Sequence, residues 1–140
     1  MKNNKMISEF KFFELFLSSY ILNGNVPIII RDEIEHKLAK YKDNEKYAFL
    51  YNDVIRYKAN IDPEMPVILS ESFQRGLAFG LVTVIQDGSI HTKYIINMDD
   101  KEAKGILKEC DAEEINAMNE IVADAFNKNS LGNSKKRVRI

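Results

Sequence analysis

Leu81-Val82-Thr83-Val84-Ile85-Gln86-Asp87-Gly88-Ser89-Ile90-His91-Thr92-Lys93-Tyr94-Ile95-Ile96-Asn97 is the stretch on which the fold turns. Two runs rich in β-branched and aromatic residues flank Asp87-Gly88, a dipeptide suited to a type I′ turn, which needs positive φ at both central positions. The pattern predicts a β-hairpin over 81–97, with strands at 81–86 and 89–97. A two-residue turn would pair Ile85 with Ile90, Thr83 with Thr92 and Leu81 with Tyr94 on one face. On the other face Val84 would oppose His91, and Val82 would oppose Lys93. The first face is expected in the core, and Val82, Val84, His91 and Lys93 are expected to meet solvent or a partner.

Upstream, Ser70 or Ser72 can cap a helix that runs through Arg75 to Phe79 and stops at Gly80. Gly76 inside it costs about 1 kcal/mol relative to alanine, so the close approach of a neighbouring backbone is expected there. Pro63 and Pro66 fix a loop over 60–66, followed by the short apolar run Val67-Ile68-Leu69. Earlier still, apolar spacing predicts helices over 8–22, capped by Ser8, over 31–42 and over 45–58. The first would bury Phe10, Phe13, Phe16, Leu17, Tyr20 and Ile21. The third would turn Tyr47, Leu50, Tyr51, Val54 and Ile55 inward. Between the first two, Pro27 precedes Ile28-Ile29-Ile30, a candidate short strand.

Downstream, two short helices are each opened by a capping box, Asp99 with Glu102 and Asp111 with Glu114. The second is expected to bury Ile115, Met118, Val122, Ala125 and Phe126. Residues 1–128 thus read as one mostly helical α+β domain with a hairpin and two C-terminal helices. Residues 129–140 read as a flexible tail ending in Lys135-Lys136-Arg137-Val138-Arg139-Ile140.

Composition narrows the function. The 140 residues are 45% hydrophobic and 29% charged, with a net charge of −1. A chain of this length buries roughly 70% of its unfolded surface, enough for a core without disulfides or metals. Near-neutral charge argues against strong electrostatic capture of nucleic acid by the domain as a whole. The single Cys110 suits a reducing cytoplasm, and the apolar stretch 10–22 is too short and too polar to span a bilayer. Frequent Lys, Asn and Ile give the look of an AT-rich microbial or phage genome.

Chemistry-bearing patterns are sparse. His36 and His91 have no partners at metal-ligand spacing, so no metal and no cofactor is expected. The acids at 99–102 and 111–114 are accounted for by helix N-termini, which attract negative charge. Asp62 and Glu64 read as a solvated loop. A Cys110–His91 nucleophile would need a stabilised thiolate, which the flanking Glu109 and Asp111 disfavour. No nucleophile elbow, P-loop or dinucleotide fingerprint is present, so an enzyme is not expected. Tyr47 and Tyr51 with Arg56 and Lys58 could stack on nucleic acid, but their helical spacing reads as core.

The segment 70–82, a helix ending in Gly80-Leu81-Val82 that feeds a two-stranded wing, resembles the winged-helix superfamily. That resemblance implies that Ile28-Ile29-Ile30 is the third strand of the small sheet. It also implies that Gln74 and Arg75 face a DNA groove, with His91 and Lys93 of the wing at the backbone. The chain departs from the family pattern where 45–58 and the proline loop intervene before the recognition helix. Arg75, Phe79, Gly80, Leu81, Asp87 and Gly88 are also similar in arrangement to the small middle subunits of bacterial three-component ABC-type defence systems, which implies an adaptor.

The expected function is therefore a non-enzymatic protein-interaction or adaptor module, self-associating or partner-bound. The alternative is a winged-helix DNA-binding regulator. The contacting residues would be Gln74, Arg75, Val82, Val84, His91 and Lys93, with Lys135, Lys136, Arg137 and Arg139 of the tail.

Overall fold

The computed structural model describes residues 9–51 and 69–127. In chain order they form α1 (Glu9–Leu22), β1 (Ile28–Ile30), α2 (Arg31–Ala39), a 3-10 turn (Ala48–Tyr51), α3 (Ser70–Phe79), β2 (Val82–Ile85), β3 (Lys93–Ile96), α4 (Asp100–Lys108), α5 (Ala112–Val122) and a terminal π-type turn (Ala123–Asn127). The fold is mostly helical α+β, with one small three-stranded antiparallel sheet. The α-helix expected over 45–58 is, in its described part, turns ending in the 3-10 turn. Its residues 52–58 with Val54, Ile55, Arg56 and Lys58, the expected Ser8 cap, the proline loop with Asp62 and Glu64, residues 67–68 and the tail beyond 127 lie outside the described residues.

Helix α1 is the axis of the molecule. Phe12, Phe13, Leu15, Phe16 and Leu17 are all fully buried, because α1 packs on α3, α4, α5 and the 3-10 turn. A helix packed on several sides buries more than one stripe, and the one-faced expectation left out Phe12 and Leu15 for that reason. Its buried hydroxyls are satisfied: Ser18 Oγ donates to the Glu14 carbonyl at 2.8 Å and Ser19 Oγ to Asn119 Oδ1 at 2.5 Å. Tyr51 is also core, its hydroxyl donating to the Leu38 carbonyl at 2.5 Å.

The N-terminus of α3 is capped from elsewhere in the chain. Leu69 occupies the N-cap position without a side-chain bond, and Glu9 of α1 does the work instead. Its Oε2 accepts from Ser72 N–H at 3.0 Å and from Ser72 Oγ at 2.8 Å. At the other end Gly80 adopts φ +80°, the left-handed stop expected of it. The approach to Gly76 is made by side chains rather than backbone: a Cβ there would lie 3.0 Å from Phe13 Cε2 and 3.2 Å from Val82 Cγ2. Phe13 is pinned between Phe73 and Phe10 and cannot yield freely. Gly76→Ala is therefore expected to lose about 1 kcal/mol net, overpacking outweighing the helix-propensity gain. A urea midpoint above that of the parent would refute this.

The sheet order is β1-β3-β2. Ile28, Ile29 and Ile30 pair with Ile95, Tyr94 and Lys93. Across the hairpin, Val82 pairs with Ile96, Thr83 with Ile95, Val84 with Tyr94 and Ile85 with Lys93. Both helix caps downstream are as the sequence predicts. Glu102 N–H donates to Asp99 Oδ1 at 2.8 Å and Asp99 N–H to Glu102 Oε1 at 3.0 Å, while Asp111 N–H donates to Glu114 Oε1 at 2.9 Å. Among the described residues no helix is long and apolar enough to cross a membrane.

Candidate interaction surfaces

The observed hairpin register corrects the predicted one. The connection runs over 86–92 rather than through two residues. Asp87 Oδ1 accepts from Ser89 N–H at 3.0 Å, Ser89 Oγ accepts from His91 N–H at 3.1 Å, and Gly88 has φ +80°. These local bonds build a wider loop and move Lys93 from opposite Val82 to opposite Ile85. An odd shift reverses which side of one strand faces its partner's core side. Val82 is thus 2% exposed and Val84 packs on the core, so neither stands on the outward face assigned to them. Thr83 and Ile90, expected inside, are exposed, Ile90 at 92%. Tyr94 is buried as expected.

The inward side now carries Ile29, Val82, Val84, Tyr94 and Ile96. Tyr94 stacks on Phe73 of α3 at 4.7 Å between ring centres. The outward side carries two cross-strand rows, Ile28–Ile95–Thr83 and Ile30–Lys93–Ile85. Ile28 and Ile95 are 46% and 40% exposed. Ile30 and Ile85 are partly exposed and stand outside the core cluster. Four isoleucines on one small sheet face make an apolar patch interrupted by one cation, Lys93, whose ammonium is held by Asp87 at 2.9 Å.

The remaining expected contact residues are dispersed. Gln74 and Arg75 are exposed on α3, and the Arg75 guanidinium lies 5.9 Å over the Phe10 ring. His91 Nδ1 stands 3.3 Å from Asp32 Oδ2. Lys135, Lys136, Arg137 and Arg139 lie outside the described residues. Eleven Lys and Arg against eighteen Asp and Glu give the described residues a balance of −7, whereas residues 128–140 carry five cations and no acid. The near-neutral total hides this separation. Counting charge by segment rather than over the whole chain would have found it.

A groove of about 700 Å³ lies among α1, the α3–β2 junction and α4. Phe10, Leu81, Met98, Ile106 and Cys110 form its apolar floor. Phe79, 69% exposed, sets its ring edge-on to Phe10 at 5.6 Å. Glu14, Glu102 and Glu109 line it, together with Lys11 and Arg75. Lys11 is bridged to Glu114 at 3.3 Å. Burial pushes the Glu14 carboxyl above its ordinary range, and among the described residues no hydrogen bond or ion pair reaches that carboxylate. Burial likewise raises the Cys110 thiol, with Glu114, Glu14 and Asp111 adding to the effect and Lys11 opposing it.

The structure does not bring Cys110 and His91 together. The thiol is 3.5 Å from the Ile106 carbonyl while the imidazole sits beside Asp32. No cluster of three or more His, Cys, Asp or Glu among the described residues could hold a metal ion. A second recess, at Tyr41 and Tyr47, is a bonded lattice: Tyr41 donates to Asp124 at 2.5 Å, and Tyr47 to Glu120 at 2.9 Å. Lys46 also bridges Glu120 at 2.9 Å. No protein-family model, no curated protein and no solved structure matches this chain.

Proposed function

We propose that this chain is a winged-helix-like protein-interaction module that docks a protein surface, a partner's or a second copy's, on the outer face of its sheet. The observation that carries the reading is the patch of Ile28 and Ile95, exposed, with Ile30 and Ile85, partly exposed, on a sheet whose other side is already used by the core. Contiguous exposed apolar patches rimmed by polar residues mark protein–protein interaction sites. The strand order β1-β3-β2, with α3 feeding β2, supports the winged-helix-like part of the reading.

The test is light scattering on the eluted protein combined with pulldown from the native host. Ile95→Lys stands at an exposed position and is expected to leave the melting temperature within a few degrees while weakening association at least tenfold. A strict monomer at high concentration with no captured partner sinks the reading.

The second reading, a DNA-binding regulator, draws on the exposed Gln74 and Arg75 of α3. Against it stand the −7 balance and the pairing of His91 and Lys93 with acids. Phosphate contacts should give salt-dependent duplex binding that weakens when the contacting cations go. We expect fluorescence anisotropy with a duplex at low salt to show no loss of affinity on His91→Ala with Lys93→Ala. A clear loss would favour the regulator.

A further inference from the structure

The groove beside α1 asks for a particular occupant. Its floor is apolar, and its wall presents Glu14, a partly buried carboxylate that meets no donor among the described residues. A half-buried carboxylate that meets no donor is stabilised by a cation that arrives with its own apolar cover. The chain itself carries such a segment. In Arg137-Val138-Arg139-Ile140 basic and apolar side chains alternate, so an extended conformation sends the two kinds to opposite sides. The segment 128–140 holds five cations and no acid, set against a body of −7.

Reach permits the contact. Phe126, just before this segment, packs on Phe16 and Tyr20 of α1 at 5.8 and 5.2 Å. The groove starts at Phe10 on the same helix, ten residues away, about 15 Å at 1.5 Å per residue. Thirteen extended residues span roughly 43 Å. We propose that the groove seats the chain's own C-terminal segment, with Val138 and Ile140 on the floor and Arg137 and Arg139 against Glu14, Glu102 and Glu109. This contact is separate from the outer sheet face, and its failure leaves the docking role of that face standing.

Cys110 lies on the groove floor and is the only cysteine in the sequence, so it can report occupancy in the full chain. Val138→Cys supplies a second thiol, and bismaleimidoethane bridges two thiols about one short linker apart. Dilute Val138→Cys protein is expected to form the intramolecular cross-link at least tenfold faster than Asn4→Cys protein. Adding Glu14→Gln, or 0.5 M sodium chloride, should slow it at least fivefold. Removing the Glu14 charge lowers the Cys110 thiol pKa and by itself speeds its alkylation, so slowing can come only from lost seating. Equal rates for Val138→Cys and Asn4→Cys overturn the proposal. So does a rate that ignores both Glu14→Gln and salt, or a product that is a dimer.

Discussion

Glu35→Ala is expected to lower unfolding free energy by about 2 kcal/mol, chiefly because a buried backbone amide loses its acceptor. Glu35 is 2% exposed on α2, yet it is not idle there. Its Oε2 accepts the Leu69 N–H at 2.8 Å and its Oε1 takes Arg31 Nε at 3.4 Å. One carboxylate thus ties the start of α3 to α2 and steadies the arginine that lies 5.2 Å over the Phe73 ring. Alanine leaves the Leu69 amide without its acceptor, which costs about 1–3 kcal/mol by itself. Glu35→Gln keeps an acceptor for that amide and should cost far less.

The same pair of variants fixes a pH dependence. Burial raises the Glu35 carboxyl above 4.5, opposed by the Leu69 hydrogen bond and by Arg31. A carboxyl whose folded pKa is raised contributes stability that is fully present below the unfolded pKa and is lost as pH rises through the folded value. The parent should therefore lose ground against Glu35→Gln between about pH 4 and pH 7. Urea unfolding at both pH values checks it, and a parent that gains on the glutamine variant as pH rises would contradict it.

Glu35 also shows what was hidden in the sequence. In the helix expected over 31–42 Asp32, Glu33 and Glu35 are all acids, and only tertiary placement tells the buried one from its neighbours. Glu9 as the cap of α3 is hidden for the same reason, since its partner Ser72 is 63 residues away. Local signals fared better. Gly80, the two capping boxes and the ends of α1 and α2 are set by residues within a turn or two, and they stand where the sequence places them to within a few positions.

The hairpin lies between these cases. Asp87-Gly88 does mark the reversal, but Asp87 spends its side chain on Ser89 N–H and Lys93 rather than on a two-residue turn. The hydrophobic pattern held the correction. The two-residue register would place Thr83 and Thr92 inside and Val82 and Val84 outside, whereas the observed one buries Val82, Tyr94 and Ile96 and packs Val84 on the core. Burial of larger apolar side chains outweighs a turn preference. The interaction face changed with the register, from Val82, Val84, His91 and Lys93 to Ile28, Ile30, Ile85 and Ile95.

That face depends on one aromatic side chain behind it. Phe73 is fully buried, stacks on Tyr94 at 4.7 Å and 22°, and meets Phe13 edge-on at 5.0 Å. It joins β3 to α1 through α3. Phe73→Ala is expected to cost about 3–5 kcal/mol for volume alone, with each aromatic contact worth about 0.5–1.5 kcal/mol beyond burial. Against a usual total of about 5–15 kcal/mol this leaves little. Phe73→Leu returns most of the volume without the ring contacts and should lose about 2 kcal/mol. The loss should be uneven, because α4 and α5 each pack on α1 without Phe73. Amide exchange in the leucine variant should accelerate most at Lys93–Ile96 and least in α1. A uniform acceleration would mean that sheet and helices unfold as one unit, and the outer isoleucine face could then not be loosened apart from the rest.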